Sequence, residues 1–359
     1  MSADPDRLPA PFARGPLTVP RMMRQVIYAL APAIAAYTWF FGIGLLLNSC
    51  IAILTGLLTE ALCLRLRNRP VELFLNDYST IVTGILLAFA LPPLTPWWIT
   101  ALGSFFAIAI AKHLFGGLGN NLFNPAMAGY VALLVSFPEQ LTDWLPPRMG
   151  DLDYQPLSAF ATLGYSLLGA LPDASSLDAL TRATPLDAVQ TELGQMRTIE
   201  EIRAASPLFG DFGGQGWEWI GNFLALGGFW LLYRGIIRWQ IPVATIAGLL
   251  IPATMFYLMD SATHAGPGFH LFSGGTMLCA FFIATDPTTA AQTDRGRLIY
   301  GAGIGLLTYM IRQWGSYPDG IAFAVLLMNA AVPLIDRLTE PVPYGYRQRS
   351  PVRGDDEHG

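Results

Sequence analysis

The sequence predicts an all-α integral membrane protein of about ten crossings, built as two inverted five-helix repeats with short or broken helices and a long outward loop. Three observations carry this. The chain of 359 residues is 53% hydrophobic and 13% charged, with mean hydropathy +0.43, against about 25% charged residues in soluble domains. Apolar candidate spans recur five times on each side of one polar, acidic stretch. Several of them are short and bounded by Gly or Pro, the pattern of discontinuous helices in paired repeats.

The elements follow in chain order. Residues 1–25 are polar and proline-rich at the start, with no apolar run leading to a cleavage site, and are read as a cytoplasmic arm. The first repeat, 26–137, offers spans at Val26–Gly42, Leu45–Leu64, Ser79–Leu91, Trp97–Leu114 and Leu122–Phe137. Residues 138–216 form the polar loop. The second repeat, 217–336, offers Trp217–Leu232, Ile241–Leu258, Leu271–Thr285, Leu298–Ile311 and Ile321–Leu334, and 337–359 is a cytoplasmic tail. Spans starting at Ser79, Leu122 and Leu271 fall short of the about 20 residues a crossing needs. The halves also echo each other: Ile85–Pro93 resembles Met277–Thr285 followed by Asp286-Pro287, one run heading outward and the other inward.

Basic residues set the orientation. With the N-terminus inside, cytoplasmic ends collect Arg21, Arg24, Arg65, Arg67, Arg69, Lys112, Arg234, Arg238, Arg295 and Arg297, while the short outer turns carry Arg312. The long loop holds eleven acids against four arginines (4 − 11 = −7) and is exempt from the rule, since long segments translocate regardless of charge. Both termini are therefore expected in the cytoplasm and the loop outside. A net charge of −5 gives no footprint for nucleic acid.

Two motifs stand out. Lys112-His113-Leu114-Phe115-Gly116-Gly117-Leu118-Gly119-Asn120-Asn121-Leu122-Phe123-Asn124-Pro125-Ala126 combines glycines that permit sharp turns or close ligand approach with amides that both donate and accept. It reads equally as a tight inter-helix turn with Asn caps; the Gly-Lys-Ser/Thr ending of a phosphate loop is missing. In the loop, Leu177-Asp178-Ala179-Leu180-Thr181-Arg182-Ala183-Thr184-Pro185-Leu186-Asp187 reads on its own as an exposed bend, with Thr184 kept extended by Pro185.

Asp77–Gly84 with Leu91-Pro92-Pro93, the Gly116–Ala126 run, Ala280–Pro287, Tyr317-Pro318-Asp319-Gly320 and Asn329 together resemble the D-subunit family of the Rnf complex, related to the B subunit of the sodium-pumping NADH:quinone oxidoreductase. The order and spacing hold from about Arg24 to Pro341. The resemblance implies a flavin-carrying electron-transfer subunit in a bacterial inner-membrane, ion-translocating (Na⁺ or H⁺) ferredoxin:NAD oxidoreductase, with the loop periplasmic. It implies FMN joined by a phosphoester to Thr184, attached by a flavin transferase, within a pattern in which Asp178, Thr181 and Ala183 match the family and Arg182 stands where Gly is usual. Arg182 either strains the turn, if positive φ is needed there, or lies beside the flavin phosphate. It further implies a second, non-covalent flavin (riboflavin in the sodium-pumping relative) near Gly119, Asn121 and Asn124. Ferredoxin and NAD are expected to react on other, iron–sulfur and flavin, subunits, since no nucleotide fingerprint or cysteine cluster occurs.

Glu60, inside the second span, is the candidate for ion coupling, because ionisable groups at membrane depth are costly and usually functional; the competing expectation is an acid reaching toward Arg65–Arg69. Asp77, Lys112, Asp260, Asp286 and Asp336 are expected to be solvated or capping. Cys50, Cys63 and Cys279 are assigned to packing, and the four histidines lack metal-site spacing. No catalytic residue and no metal site are expected. Competing functions are a solute channel or secondary transporter of inverted-repeat type, which composition alone favours, and the B subunit of the quinone-reducing relative; bound flavin separates a redox subunit from a transporter.

Overall fold

A computed structural model describes residues 18–148, 157–170, 180–317 and 319–341; most of the expected N-terminal arm and C-terminal tail lie outside the described residues. Among these, pairing between extended segments is limited to two isolated bridges, Trp144 with Arg182 and Phe209 with Gly214, and the rest of the regular structure is helical.

The first half comprises α1 (Val19–Phe41), α2 (Gly44–Leu66), α3 (Val71–Leu75), α4 (Ser79–Ala90), α5 (Trp97–Leu114) and α6 (Pro125–Ser136). The connecting segment holds α7 (Pro138–Thr142), α8 (Ala159–Leu168), α9 (Pro185–Leu193) and α10 (Ile199–Ala205). The second half comprises α11 (Trp217–Tyr233), α12 (Gln240–Met259), α13 (Pro267–Phe272), α14 (Thr276–Leu278), running on as a wide π-helical turn over Cys279–Ile283, α15 (Asp294–Trp314) and α16 (Ile321–Thr339). Each expected span coincides with a helix, and the three expected to be short are: α4 and α6 have 12 residues each, and Leu271–Thr285 is broken between α13 and α14. Among the described residues, four helices are long and apolar enough to cross a membrane, α2, α5, α12 and α16; the 23-residue α1 carries Arg21 and Arg24 among its apolar residues, and the 21-residue α15 carries Asp294 and three arginines.

Local chemistry sets the ends. Pro20 and Pro125 occupy the first turns of α1 and α6, where the missing N–H costs nothing. Helix α4 stops at the extended Leu91, before the two prolines, and Asn48 of α2, fully buried, donates to the Pro92 carbonyl at 3.0 Å. Small residues govern the helix contacts, as expected where apolar surface alone gives no preference between lipid and protein: a Cβ on Gly305 of α15 would lie 2.1 Å from the Thr245 carbonyl of α12.

The two halves share one core and one polar staple. Asn329 of α16, wholly buried, donates to the Thr289 carbonyl (3.2 Å) and the Tyr300 hydroxyl (2.7 Å) and accepts the Asn124 N–H across the halves at 3.0 Å.

The connecting segment, expected as a polar loop, carries helices and a core of its own. Four helices occupy its described part, and Leu186, Val189, Ile199, Ile202 and Phe209 form a small second core with Ala265, just before α13, and Phe269 within it. A capping box, Thr198 with Glu201, starts α10, and Ser166 of α8 donates to the Thr95 carbonyl at 3.1 Å, tying the segment to the first half.

Candidate functional site

Thr184 sits at the N-terminus of α9, extended (φ −67°, ψ 159°), as the following proline demands. Its Oγ1 accepts the Asp187 N–H at 3.2 Å, the bond of a helix N-cap. Thr184 lines a cavity of about 300 Å³, within the size range of small-molecule sites. The walls come from both halves and from the connecting segment: Phe89 of α4, Tyr130 of α6, Trp144, Trp217 and Leu224 of α11, and Leu278 of α14. Trp144 and Trp217 meet edge to face, centroids 5.3 Å apart, and Trp217 rests on Tyr37 and Phe41 of α1. This apolar chamber has a narrow polar side: Ser273, Gly274, Gly275 and Asp319.

Gly274 adopts φ +63°, and a Cβ there would lie 2.4 Å from Asp319 Oδ2 and 2.8 Å from Leu186, so glycine is required both by conformation and by space. The Ser273 hydroxyl is buried without a hydrogen-bond partner among the described residues. Asp319 accepts from Gly275 N–H (2.9 Å), Ile321 N–H (3.3 Å) and Arg312 Nη2 (3.1 Å). Arg312 in turn donates to the carbonyls of His270 (2.7 Å) and Ser273 (3.1 Å) and to Thr276 Oγ1 (3.0 Å). Asp187, in the first turn of α9, also lines the cavity, and burial raises its carboxyl above the ordinary value.

Of the other motif positions, Asp178 lies outside the described residues. Thr181 precedes the cavity segment and is half-buried. Arg182 is exposed and pairs its backbone with Trp144, its N–H donating to the Trp144 carbonyl at 2.8 Å. Its φ is not among the positive ones, so the conformational strain considered for an arginine at this position does not arise.

Gly116, Gly117 and Gly119 all take positive φ (122°, 99° and 91°), as the turn reading requires. The asparagines beyond them are engaged within the protein. Asn121 accepts from Gly119 N–H and donates to Thr288 Oγ1 at 3.2 Å. Asn124 caps α6 through Met127 N–H and donates to the Ile283 carbonyl at 3.4 Å.

Glu60 does not reach toward Arg65–Arg69. It is 2% exposed and bonded to Lys112 Nζ at 2.5 Å, with Thr80 Oγ1 on its other oxygen and His113 Nε2 3.4 Å away. Lys112, expected to be solvated, is equally buried and also donates to Ser79 Oγ (2.8 Å) and Thr80 Oγ1 (3.2 Å). The cause is tertiary: α2 and α5 run side by side and bring residues 52 positions apart into contact. Asp77, Asp260 and Asp286 accept from nearby N–H and hydroxyl groups, as capping acids do. Sequence reasoning missed Ser273, Gly274 and the Arg312–Asp319 pair as parts of a site; the signal was the Tyr317–Gly320 string.

A helical protein with apolar helices of crossing length and an apolar chamber whose walls come from both halves belongs to the class of integral membrane proteins. The particular family follows from comparison. The model of the NQR2, RnfD, RnfE family matches residues 8–345, and the chain belongs to that family. Among similar proteins, the D subunit of the ion-translocating oxidoreductase complex of Aliivibrio salmonicida is 49% identical over 346 residues, 94% of this chain and 98% of the relative. The proteins of the same name from Aeromonas salmonicida (50% over 345 residues, 95% and 98%) and Pseudomonas paraeruginosa (47% over 349 residues, 96% and 98%) are similar to the same extent.

Proposed function

We propose that this chain is the flavin-carrying electron-transfer subunit of an ion-translocating oxidoreductase complex of the Rnf type, with FMN joined to Thr184 through a phosphoester. The names and near-complete coverage of the relatives support membership of such a complex. The single observation that carries the flavin is the position of Thr184, a hydroxyl on the wall of a chamber lined by indole and phenyl rings. The residues fit the group. The chamber has the volume and apolar walls for a flat ring system, and an unpartnered Ser273 hydroxyl and the backbone at Gly274, open for want of a Cβ, supply a polar edge. A phosphate on Thr184 would lie at the N-terminus of the nine-residue α9, where free N–H groups and the helix dipole favour an anion.

Flavin supplies the one- and two-electron chemistry; the protein's part is placement. Thr184 fixes the tether by its cap bond, Trp144 and Trp217 exclude water, and α9 is held against the body by its small core. Arg182, exposed beside the tether, is placed to meet phosphate oxygens or solvent.

The paired element order supports ten crossings in two inverted repeats, 26–137 and 217–336, with α1 matching α11, α2 α12, α3 α13, α4 α14, α5 α15 and α6 α16. With the arginine-rich ends inside, the termini are cytoplasmic and 138–216 faces the periplasm. Electrons reaching Thr184 from a cytoplasmic donor then cross the bilayer, and partner subunits supply the ferredoxin and NAD sites. A second flavin near Gly119, Asn121 and Asn124 would bind at a turn whose amides already serve the fold. Glu60 remains the ion-coupling candidate, in a form where Lys112 is its counter-ion.

Intact-mass measurement of the purified chain, made with a flavin transferase, tests the reading. An FMN-sized increment and an ultraviolet-fluorescent denatured band are expected, both lost in Thr184→Ala. A colourless, unmodified chain sinks the flavin reading and favours a solute channel or transporter.

A further inference from the structure

We propose that Asp319, clamped by Arg312, sets the reduction potential of the group tethered at Thr184 by presenting a fixed negative charge to the chamber; the inference rests on the flavin reading above. Among the described residues lining the chamber, only Asp187 and Asp319 are acidic, and none is Lys, Arg or His. They differ in how they are held. Asp187 stands in the first turn of a helix, where N–H groups offset its charge. Asp319 lies in the turn before α16 and is fixed by Arg312 and by the N–H groups of Gly275 and Ile321.

The orientation of the pair matters most. The Arg312 side chain is 1% exposed and the Asp319 side chain 27%, so the cation is sealed behind the carboxylate and the negative end of the dipole faces the cavity. Arg312 is immobilised by the carbonyls of His270 and Ser273 and by Thr276, and its planar fork suits that multiple demand. The same turn supplies Gly274, whose missing Cβ leaves Asp319 Oδ2 and the chamber in contact.

Two-electron reduction of a flavin, with one proton taken from solvent, leaves one added negative charge on the ring. A fixed carboxylate in an apolar, water-poor chamber penalises that charge, at an effective dielectric well below that of water. Neutralising it is expected to shift the reduced-to-oxidised ratio at a given ambient potential by on the order of tenfold, about 30 mV for a two-electron couple.

The test is an anaerobic dithionite titration, with redox dyes, of the full chain carrying its flavin; the difference spectrum against Thr184→Ala isolates the tethered group. Asp319→Asn, which keeps the size and most acceptor bonds, is expected to raise the midpoint. Asp319→Glu, which keeps the charge but shifts it by a methylene, is expected to stay near the parent. A merely structural role for Asp319 predicts the reverse order, and that result overturns the inference. A parental midpoint in Asp319→Asn, with the flavin mass present, overturns it too. If the single exchange fails to fold with Arg312 unpaired, Arg312→Gln/Asp319→Asn removes both charges. A smaller rise is then expected, and an unmoved midpoint rejects the proposal. A parent chain without flavin mass defeats the tether reading instead.

Discussion

Two buried cations occupy corresponding places in the two halves, and their surroundings differ. Lys112 ends α5 and donates to Thr80 in the first turn of α4; Arg312, near the end of α15, donates to Thr276 at the start of α14. The residue two positions before each of these threonines also repeats in backbone form: Tyr78 has φ 64° and Gly274 has φ 63°. In the first half the turn carries a tyrosine at that strained angle, and the cation's partner is Glu60 from α2, sealed at 2% exposure. In the second half the residue is glycine, the partner is Asp319 from the turn before α16, and the carboxylate opens onto a chamber. Similar local frames thus carry a closed charge pair in one half and, in the other, a carboxylate on the wall of a chamber that both halves line. A side chain at Gly274 would strike Asp319 and Leu186; its absence leaves the room.

The comparison predicts a ranking of stabilities. Lys112→Met strands Glu60 with no water to receive its charge, and removing one partner of a buried pair costs about 3–5 kcal/mol. We expect a large fall in the detergent melting temperature and in folded yield, largely recovered by Lys112→Met/Glu60→Gln. No recovery in the double exchange would show that the pair is not the closed unit described. Arg312→Ala is expected to cost less, about 2–3 kcal/mol, because Asp319 is only partly buried and keeps the N–H groups of Gly275 and Ile321 as donors. An equal or larger loss than in Lys112→Met would break the open-versus-closed distinction. Asn329→Leu, which serves both halves, orphans the Asn124 N–H and the Tyr300 hydroxyl and is expected to cost about 1–3 kcal/mol. Hydrogen exchange should then rise at the start of α6 and along α15 together; exchange confined to one half would mean the staple does not join them.

The parts of this fold legible in the sequence are those fixed by local chemistry and hydropathy. The apolar runs marked the helices, Pro125 marked the start of α6, and the short lengths of Ser79–Leu91 and Leu122–Phe137 foretold α4 and α6. The helices of the connecting segment were not legible. They are five to ten residues long, too short for a clear period, and α9 and α10 depend on Phe269, more than sixty positions further on (269 − 205 = 64). Nor were the charge pairs. Glu60 has arginines nearer in sequence than Lys112, and only the lateral packing of α2 on α5 selects the lysine. Arg312 reads in sequence as a stray basic residue on a short turn, yet its guanidinium holds the turn that shapes the site. Thr184 could be singled out by family resemblance; its place on a chamber wall required the three segments that meet there.

The smallest effect expected is a pH dependence at the open site. Burial raises the Asp187 carboxyl above its ordinary value of 3.8. A carboxyl that holds its proton more tightly when folded contributes stability fully below the unfolded value, and that contribution is lost as pH rises through the raised folded value. The docking of α9 should therefore be tightest in acid, loosen as pH climbs upward from about 3.8, and become level once Asp187 is ionised. Trp144 and Trp217, on the wall of the same chamber, report this through their fluorescence. Asp187→Asn keeps the side-chain volume and removes the titration, so its profile should be flat over that window, while the Thr184 cap bond to the backbone N–H of residue 187 persists. A slope unchanged in Asp187→Asn would assign the titration to another group and reject this reading of Asp187.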